Sequence, residues 1–177
     1  MEHIEKFKKI LEELKNNGQY RVFNQILRER GNFPYAALHA KGANKKIVNW
    51  CSNDYLGMGN HPFVLDAMKT ALDTAGAGSG GTRNISGTSS YHADLERTLA
   101  ELHKKDSALI FPSAYTANQS TLWTLCKKLE GIEIYSDELN HASMIQGIKN
   151  ANVKVHIFRH NDTEHLEELL KTSNANT

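Results

Sequence analysis

From His92 to Lys171 the chain alternates stretches of helical apolar spacing with short runs rich in β-branched residues. This rhythm predicts helices at 92–103, 115–127, 141–150 and 163–171, separated by strands at 108–111, 132–135 and 153–158. Strand–helix–strand units of this length cross over right-handedly and leave their strands parallel, so an α/β fold with an open parallel sheet is expected. In such sheets ligands collect beyond the carboxyl ends of the strands. The loops that start at Pro112, Ser136 and Arg159 are therefore the first places to look for chemistry.

The first part of the chain reads differently. Ile4, Phe7, Leu11 and Leu14 repeat at helical spacing and Asn16-Asn17-Gly18 supplies a stop, which predicts an amphipathic helix over 3–16. Val22, Phe23, Ile26 and Leu27 suggest a second short helix between Tyr20 and Arg30. Ile47 to Trp50 reads as a short strand, Cys51 to Gly59 as an ordered turn region, and Pro62 as the opening of a helix that runs to about Leu72.

Between these halves lies a glycine-dense run, with five of the chain's twelve glycines falling between Gly76 and Gly87. A tract of glycine and serine alone would read as a flexible linker. Here Thr82, Arg83 and Asn84 are embedded in it and Tyr91-His92 follows, so an ordered loop presenting polar side chains to a ligand is the favoured reading.

Beyond the first parallel strand, Ser113, Ala114 and Tyr115 open a helix whose unpaired N–H groups suit a phosphate, with an ordinary serine cap as the equal alternative. Beyond the second, Ser136 begins a polar loop that ends at His141. A lone histidine is more often structural than functional; His141 improves on that because small residues flank it and its ring could lie flat on an aromatic ligand. Beyond the third, Asp162 reads as the cap of the last helix.

Other chemistries lose ground. Twenty-one basic and twenty acidic residues leave a formal charge of +1, with no electrostatic footprint for nucleic acid or an anionic membrane. No stretch approaches the roughly 20 apolar residues of a membrane span, and the first residues lack the apolar core of a secretion signal. Cys51 and Cys126 have no metal spacing and are expected to be reduced, buried thiols in a cytoplasmic protein, and no metal site is expected elsewhere. A P-loop ending and a Rossmann strand–glycine–helix order are both missing. At 177 residues, 40% hydrophobic, the composition is that of a globular domain with a real core.

Taken in order, Tyr20-Arg21-Val22-Phe23, Trp50 to Gly59, Gly76 to Thr88, Leu139-Asn140-His141-Ala142-Ser143-Met144-Ile145 and Ile157 to Asp162 resemble the amino-terminal part of the α-oxoamine synthases, pyridoxal-phosphate enzymes. Within that group the likeness is to the branch that makes 5-aminolevulinate, and it spans Tyr20 to Leu170. The resemblance implies an aspartate-aminotransferase-type (fold type I) α/β enzyme, with 1–60 a helical amino-terminal segment with a short strand and loop, and 61–177 the first part of the large cofactor domain. It implies pyridoxal 5'-phosphate as cofactor and a homodimer with active sites at the subunit interface. The reaction it implies is condensation of glycine with succinyl-CoA to 5-aminolevulinate, CoA and carbon dioxide, the entry to tetrapyrrole and heme synthesis. By position, Ser113, Ala114 and Tyr115 would hold the cofactor phosphate and His141 would stack on its ring. Ser136 would lie at the substrate end, and Asn53 beside the bound glycine, reaching across the dimer. Arg21, Thr82 and Asn84 would cradle the succinyl carboxylate, a role that suits a guanidinium and two short polar groups, with Ile85 beside them. At the place of the group's CoA-binding lysine stands Val155, with Lys154 one residue earlier, and a strand turns that side chain to the opposite face.

The group's Schiff-base lysine and the acidic partner of its pyridinium come from later sequence, and no lysine here stands in that motif. The chain is accordingly expected to be an inactive piece of an active parent. Two other readings stay open: a sibling synthase that uses a different acyl-CoA, and a truncated, non-catalytic protein that binds a full-length partner.

Overall fold

A computed structural model describes residues 2–40 and 43–173. The chain forms two compact units, Met1–Gly78 and Ser79–Thr177.

In the first unit, α1 (Glu2–Asn16) follows the expected apolar spacing. It ends where Gly18 takes a φ of 65° and the N–H groups of Gln19 and Tyr20 both close on the Leu14 carbonyl at 2.8 and 3.0 Å. The helix expected at 20–30 is not there. Residues 25–28 instead form β1 (Gln25–Arg28), which pairs antiparallel with β2 (Tyr35–Ala40), itself paired with β3 (Ala43–Val48). The turn through Gly31 and Pro34 lays Ile26 opposite Leu38, so hairpin pairing overrides the helical spacing of a segment too short to hold a helix alone. The expected strand at 47–50 is the end of β3, and Lys46 covers the Tyr35 ring at 4.1 Å. The ordered turn region is present. Asp54 organises it, accepting from the Gly59 N–H at 3.1 Å while its own N–H donates to Ser52 Oγ at 3.1 Å. Pro62 then opens α2 (Pro62–Ala75), as its place at the first helical turn requires.

The second unit contains α3 (Ser90–Leu102), α4 (Ala114–Lys128), β4 (Ile134–Asp137), α5 (Ala142–Ala151), β5 (Val155–Phe158) and α6 (Thr163–Lys171). The strands β4 and β5 are parallel, with α5 as their crossover, in the manner expected. β4 runs two residues beyond its apolar core because Ser136 and Asp137 pair with Ile157 and Phe158. The strand expected at 108–111 is not formed among the described residues: the Ile110 N–H and carbonyl are taken by the side chains of Glu96 (2.8 Å) and Arg83 (3.4 Å), not by a neighbouring strand. Asp162 caps α6 as expected, accepting from the His165 N–H at 2.8 Å.

The core is thinner than the composition suggests. Among the described residues only Ala36, Ala100, Cys126, Ile148 and Ala151 are buried apolar side chains, while Phe23 and Trp50 are 91% and 89% exposed. Cys126 is buried as expected, and burial pushes its thiol pKa up, but Cys51 is exposed because it stands in the loop after β3.

Candidate active site

The helices α4 and α5 pack so closely that a methyl group on Gly147 would lie 3.0 Å from the Gln119 Cα. That approach brings the starts of the two helices together. Ser113 caps α4, its Oγ accepting from the Thr116 N–H at 3.1 Å, and the N–H groups of Ala114 and Tyr115 sit in the first turn, where the helix supplies no acceptor. His141 caps α5, with its ring centroid 6.4 Å from that of Tyr115.

The His141 ring is not free to turn. The Ser143 N–H donates to His141 Nδ1 at 3.2 Å, which assigns the ring proton to Nε2. Ser143, fully buried, lies 2.7 Å from the same nitrogen through its Oγ and accepts from Asn118 Nδ2 at 3.0 Å. An α4 side chain therefore fixes the cap of α5. Asn118 and Ser143 were not singled out as site residues by the sequence, which cannot show that residues 25 apart meet. Replacing Ser143 by alanine strips Asn118 Nδ2 of its acceptor, and the expected cost is about 1–2 kcal/mol in urea unfolding.

Within β4, one residue before its end, Ser136 is buried and accepts from Asn140 Nδ2 at 2.8 Å. Its neighbour Asp137 locks the two strand ends together, accepting from the Asn161 N–H, His160 Nδ1 and the Leu139 N–H at 2.8 to 2.9 Å, and these bonds hold its carboxyl at about 2. In the glycine-rich loop, Thr82 Oγ1 donates to Asn84 Oδ1 at 2.9 Å, so two predicted site residues are already paired, with Ile85 exposed beside them. Lys154 stands apart from this group. Its ammonium pairs with Glu133 at 2.7 Å, and Glu133 also accepts from His156 Nε2 (2.8 Å) and Ser173 Oγ (3.1 Å), which holds the carboxyl at about 2. Arg21 and Asn53 belong to the first unit, where both are exposed.

Ala114, Tyr115 and His141 thus form a surface suited to a phosphorylated aromatic group: donors without acceptors for the anion and a fixed ring for its face.

The chain is 55% identical over 173 residues to the non-specific mitochondrial 5-aminolevulinate synthase of Gallus gallus, covering 97% of this chain and 27% of the relative. It is 58% identical over 158 residues to the 5-aminolevulinate synthase of Paracoccus denitrificans (strain Pd 1222), covering 89% of this chain and 39% of the relative. Among solved structures, a serine palmitoyltransferase variant from S. paucimobilis with a bound PLP–myriocin aldimine matches with a TM-score of 0.78 and 27% identity, over 97% of this chain and 42% of that one. The resemblance to α-oxoamine synthases is therefore borne out, and the architecture is that of fold type I pyridoxal-phosphate enzymes. The expectation of a cytoplasmic location is corrected by the same comparison: the chicken relative is named mitochondrial, and two cysteines without metal spacing do not report the compartment. The aminotransferase class I and II family matches residues 45–177, and the chain belongs to that family.

Proposed function

We propose that the complete natural protein bearing these residues is a 5-aminolevulinate synthase that uses pyridoxal 5'-phosphate to condense glycine with succinyl-CoA, releasing CoA and carbon dioxide. The observation that carries the reading is the meeting of the α4 start with the fixed His141 ring, in a chain 58% identical to a relative of that name. When bound, the cofactor supplies the electron sink that makes the glycine α-carbon acidic enough to deprotonate. In this reading the Ala114 and Tyr115 N–H groups bind its phosphate, and His141, steadied by Ser143 and Asn118, packs on its ring. Ser136 lies toward the substrate end, and Asn53 orients the glycine moiety. Arg21 and Asn84 Nδ2 hydrogen-bond the succinyl carboxylate, Thr82 joins them by turning its hydroxyl away from Asn84 Oδ1, and Ile85 packs on the methylene groups. Lys154 would reach CoA only by giving up Glu133. The large cofactor domain is taken to begin at residue 61.

A homodimer as the working assembly accords with the apolar side chains left exposed, Phe23 and Trp50 foremost.

The test is an assay of the complete natural protein with glycine and succinyl-CoA, following CoA thiol release and 5-aminolevulinate together. Both products should appear in equal amounts and require added cofactor after its removal. A preference for an acyl-CoA without a terminal carboxylate would replace the reading by a sibling synthase. His141→Ala should loosen cofactor binding about 2–12-fold, the worth of one aromatic stack of ~0.5–1.5 kcal/mol, measured by absorbance titration.

A further inference from the structure

We infer that Arg83 and Glu96 form a positioning device for Thr82 and Asn84, so that selection of a carboxylate-bearing acyl group depends on a guanidinium that does not itself bind substrate. The inference rests on the substrate reading just given and adds residues that reading leaves unused.

From its place between Thr82 and Asn84, Arg83 would be the natural cation for a substrate carboxylate. Its side chain is already committed. Nη1 and Nη2 donate to Glu96 Oε1 and Oε2 at 2.6 and 3.0 Å, a bidentate pair whose side chains are 34% and 17% exposed, and Nη1 also approaches the Ile110 carbonyl at 3.4 Å. The backbone of the same residue is held as well, its carbonyl accepting from Thr88 Oγ1 at 2.7 Å. Just before it, the Thr82 carbonyl gathers the N–H groups of Ile85, Ser86 and Gly87 at 3.1, 3.2 and 2.8 Å, closing the single π-helical turn Arg83–Gly87. Thr82 and Asn84 thus stand on a turn anchored at both ends. With Asn84 Oδ1 accepting from Thr82, the donors on Asn84 Nδ2 are left for a ligand.

Glu96 extends the device. Its Oε1 also accepts from the Ile110 N–H at 2.8 Å, and Ile110 lies three residues before the Ser113 cap of α4. One carboxylate on α3 therefore ties the Thr82–Asn84 turn to the segment that leads into the start of α4. A lysine in place of Arg83 keeps the charge and loses the two-pronged geometry; a glutamine in place of Glu96 keeps the shape and loses the charge.

The experiment uses the complete natural protein and its Arg83→Lys and Glu96→Gln variants, with Arg97→Lys, an exposed residue paired to Asp94, as control. Two quantities are read: amide hydrogen exchange at Ile85, Ser86 and Gly87, and the ratio of kcat/KM for succinyl-CoA over butyryl-CoA. In both test variants exchange at the three amides should quicken and the ratio should fall roughly tenfold, within the loss expected of a misplaced binding group, while the KM for glycine stays unchanged. Unchanged exchange overturns the inference whatever the substrate. Faster exchange with the succinyl preference intact overturns it too, because the turn would then not set selectivity. A rise in the glycine KM parallel to that for succinyl-CoA, with a lowered melting temperature, would reduce the ion pair to general stability. If the unmutated protein itself shows no preference for succinyl-CoA, the substrate reading falls, and the exchange data alone decide whether the ion pair holds the turn.

Discussion

Gly87→Ala should be among the most damaging single-methyl additions in the chain, lowering stability by about 3 kcal/mol and abolishing selective turnover together. The reason is geometric. A Cβ at this buried position would run into the Gly81 carbonyl oxygen and lie 2.5 Å from the Gly81 carbonyl carbon and 2.9 Å from the Thr82 carbonyl carbon. All three are backbone atoms, so no side chain can swing aside, and relief requires the turn to open. Opening it breaks the Gly87 N–H bond to Thr82 and disperses the Thr82–Asn84 pair. The contrast is Gly81→Ala, whose closest obstacle is the Ser86 hydroxyl at 2.5 Å, a group that can rotate away, so a loss well below that of Gly87→Ala is expected. Denaturant unfolding of the two variants in the complete natural protein checks the order. Equal losses would mean that the turn yields more readily than its backbone crowding implies.

The parts of this structure legible in the sequence are those whose cause is local. Periodicity placed α2 through α6 within a few residues, and the residues that cap helices, Ser113 and Asp162 among them, do so through their own neighbours. What the sequence hid depends on partners. The segment 25–28 has helical spacing, yet a hairpin partner ten or so residues on decides its fate. Residues 108–111 look like a strand, yet the Ile110 backbone is satisfied by two side chains from 14 and 27 residues earlier. The site divides along the same line. Ala114, Tyr115 and His141 were singled out as lying after expected strands, of which only β4, before His141, is formed, whereas the Asn118–Ser143 bond that steadies His141 and the Glu96 carboxylate that holds Arg83 required the fold. The cytoplasmic expectation failed for a different reason, since composition reports on folding and not on the cell's addressing of a protein.

Glu133→Gln should show a stability deficit that exists at neutral pH and disappears in acid. In the folded protein the Glu133 carboxylate accepts hydrogen bonds from Lys154, His156 and Ser173, with the Tyr135 hydroxyl at 3.3 Å, and these hold its pKa at about 2 in place of the ordinary 4.5. A carboxylate whose folded pKa is depressed contributes stability that is fully present above its unfolded value. It is lost as pH falls from about 4.5 through about 2. The denaturant midpoint of Glu133→Gln should therefore lie below that of the unmutated protein at pH 7, and the two should converge as pH approaches 2. Glu96 and Asp137 are held at about 2 by bonds of their own, so the unmutated protein takes up protons at all three carboxylates when it unfolds in this window. The three are not redundant. Glu96 joins α3 to the Thr82–Asn84 turn and to Ile110, Asp137 joins the ends of β4 and β5, and Glu133 joins β5 to Ser173 beyond α6. With so few buried apolar side chains in this part of the chain, carboxylates supply the ties between segments that a larger core would otherwise provide. A midpoint difference for Glu133→Gln that stays constant from pH 7 to pH 2 would show that packing, and not ionisation, is what this residue contributes.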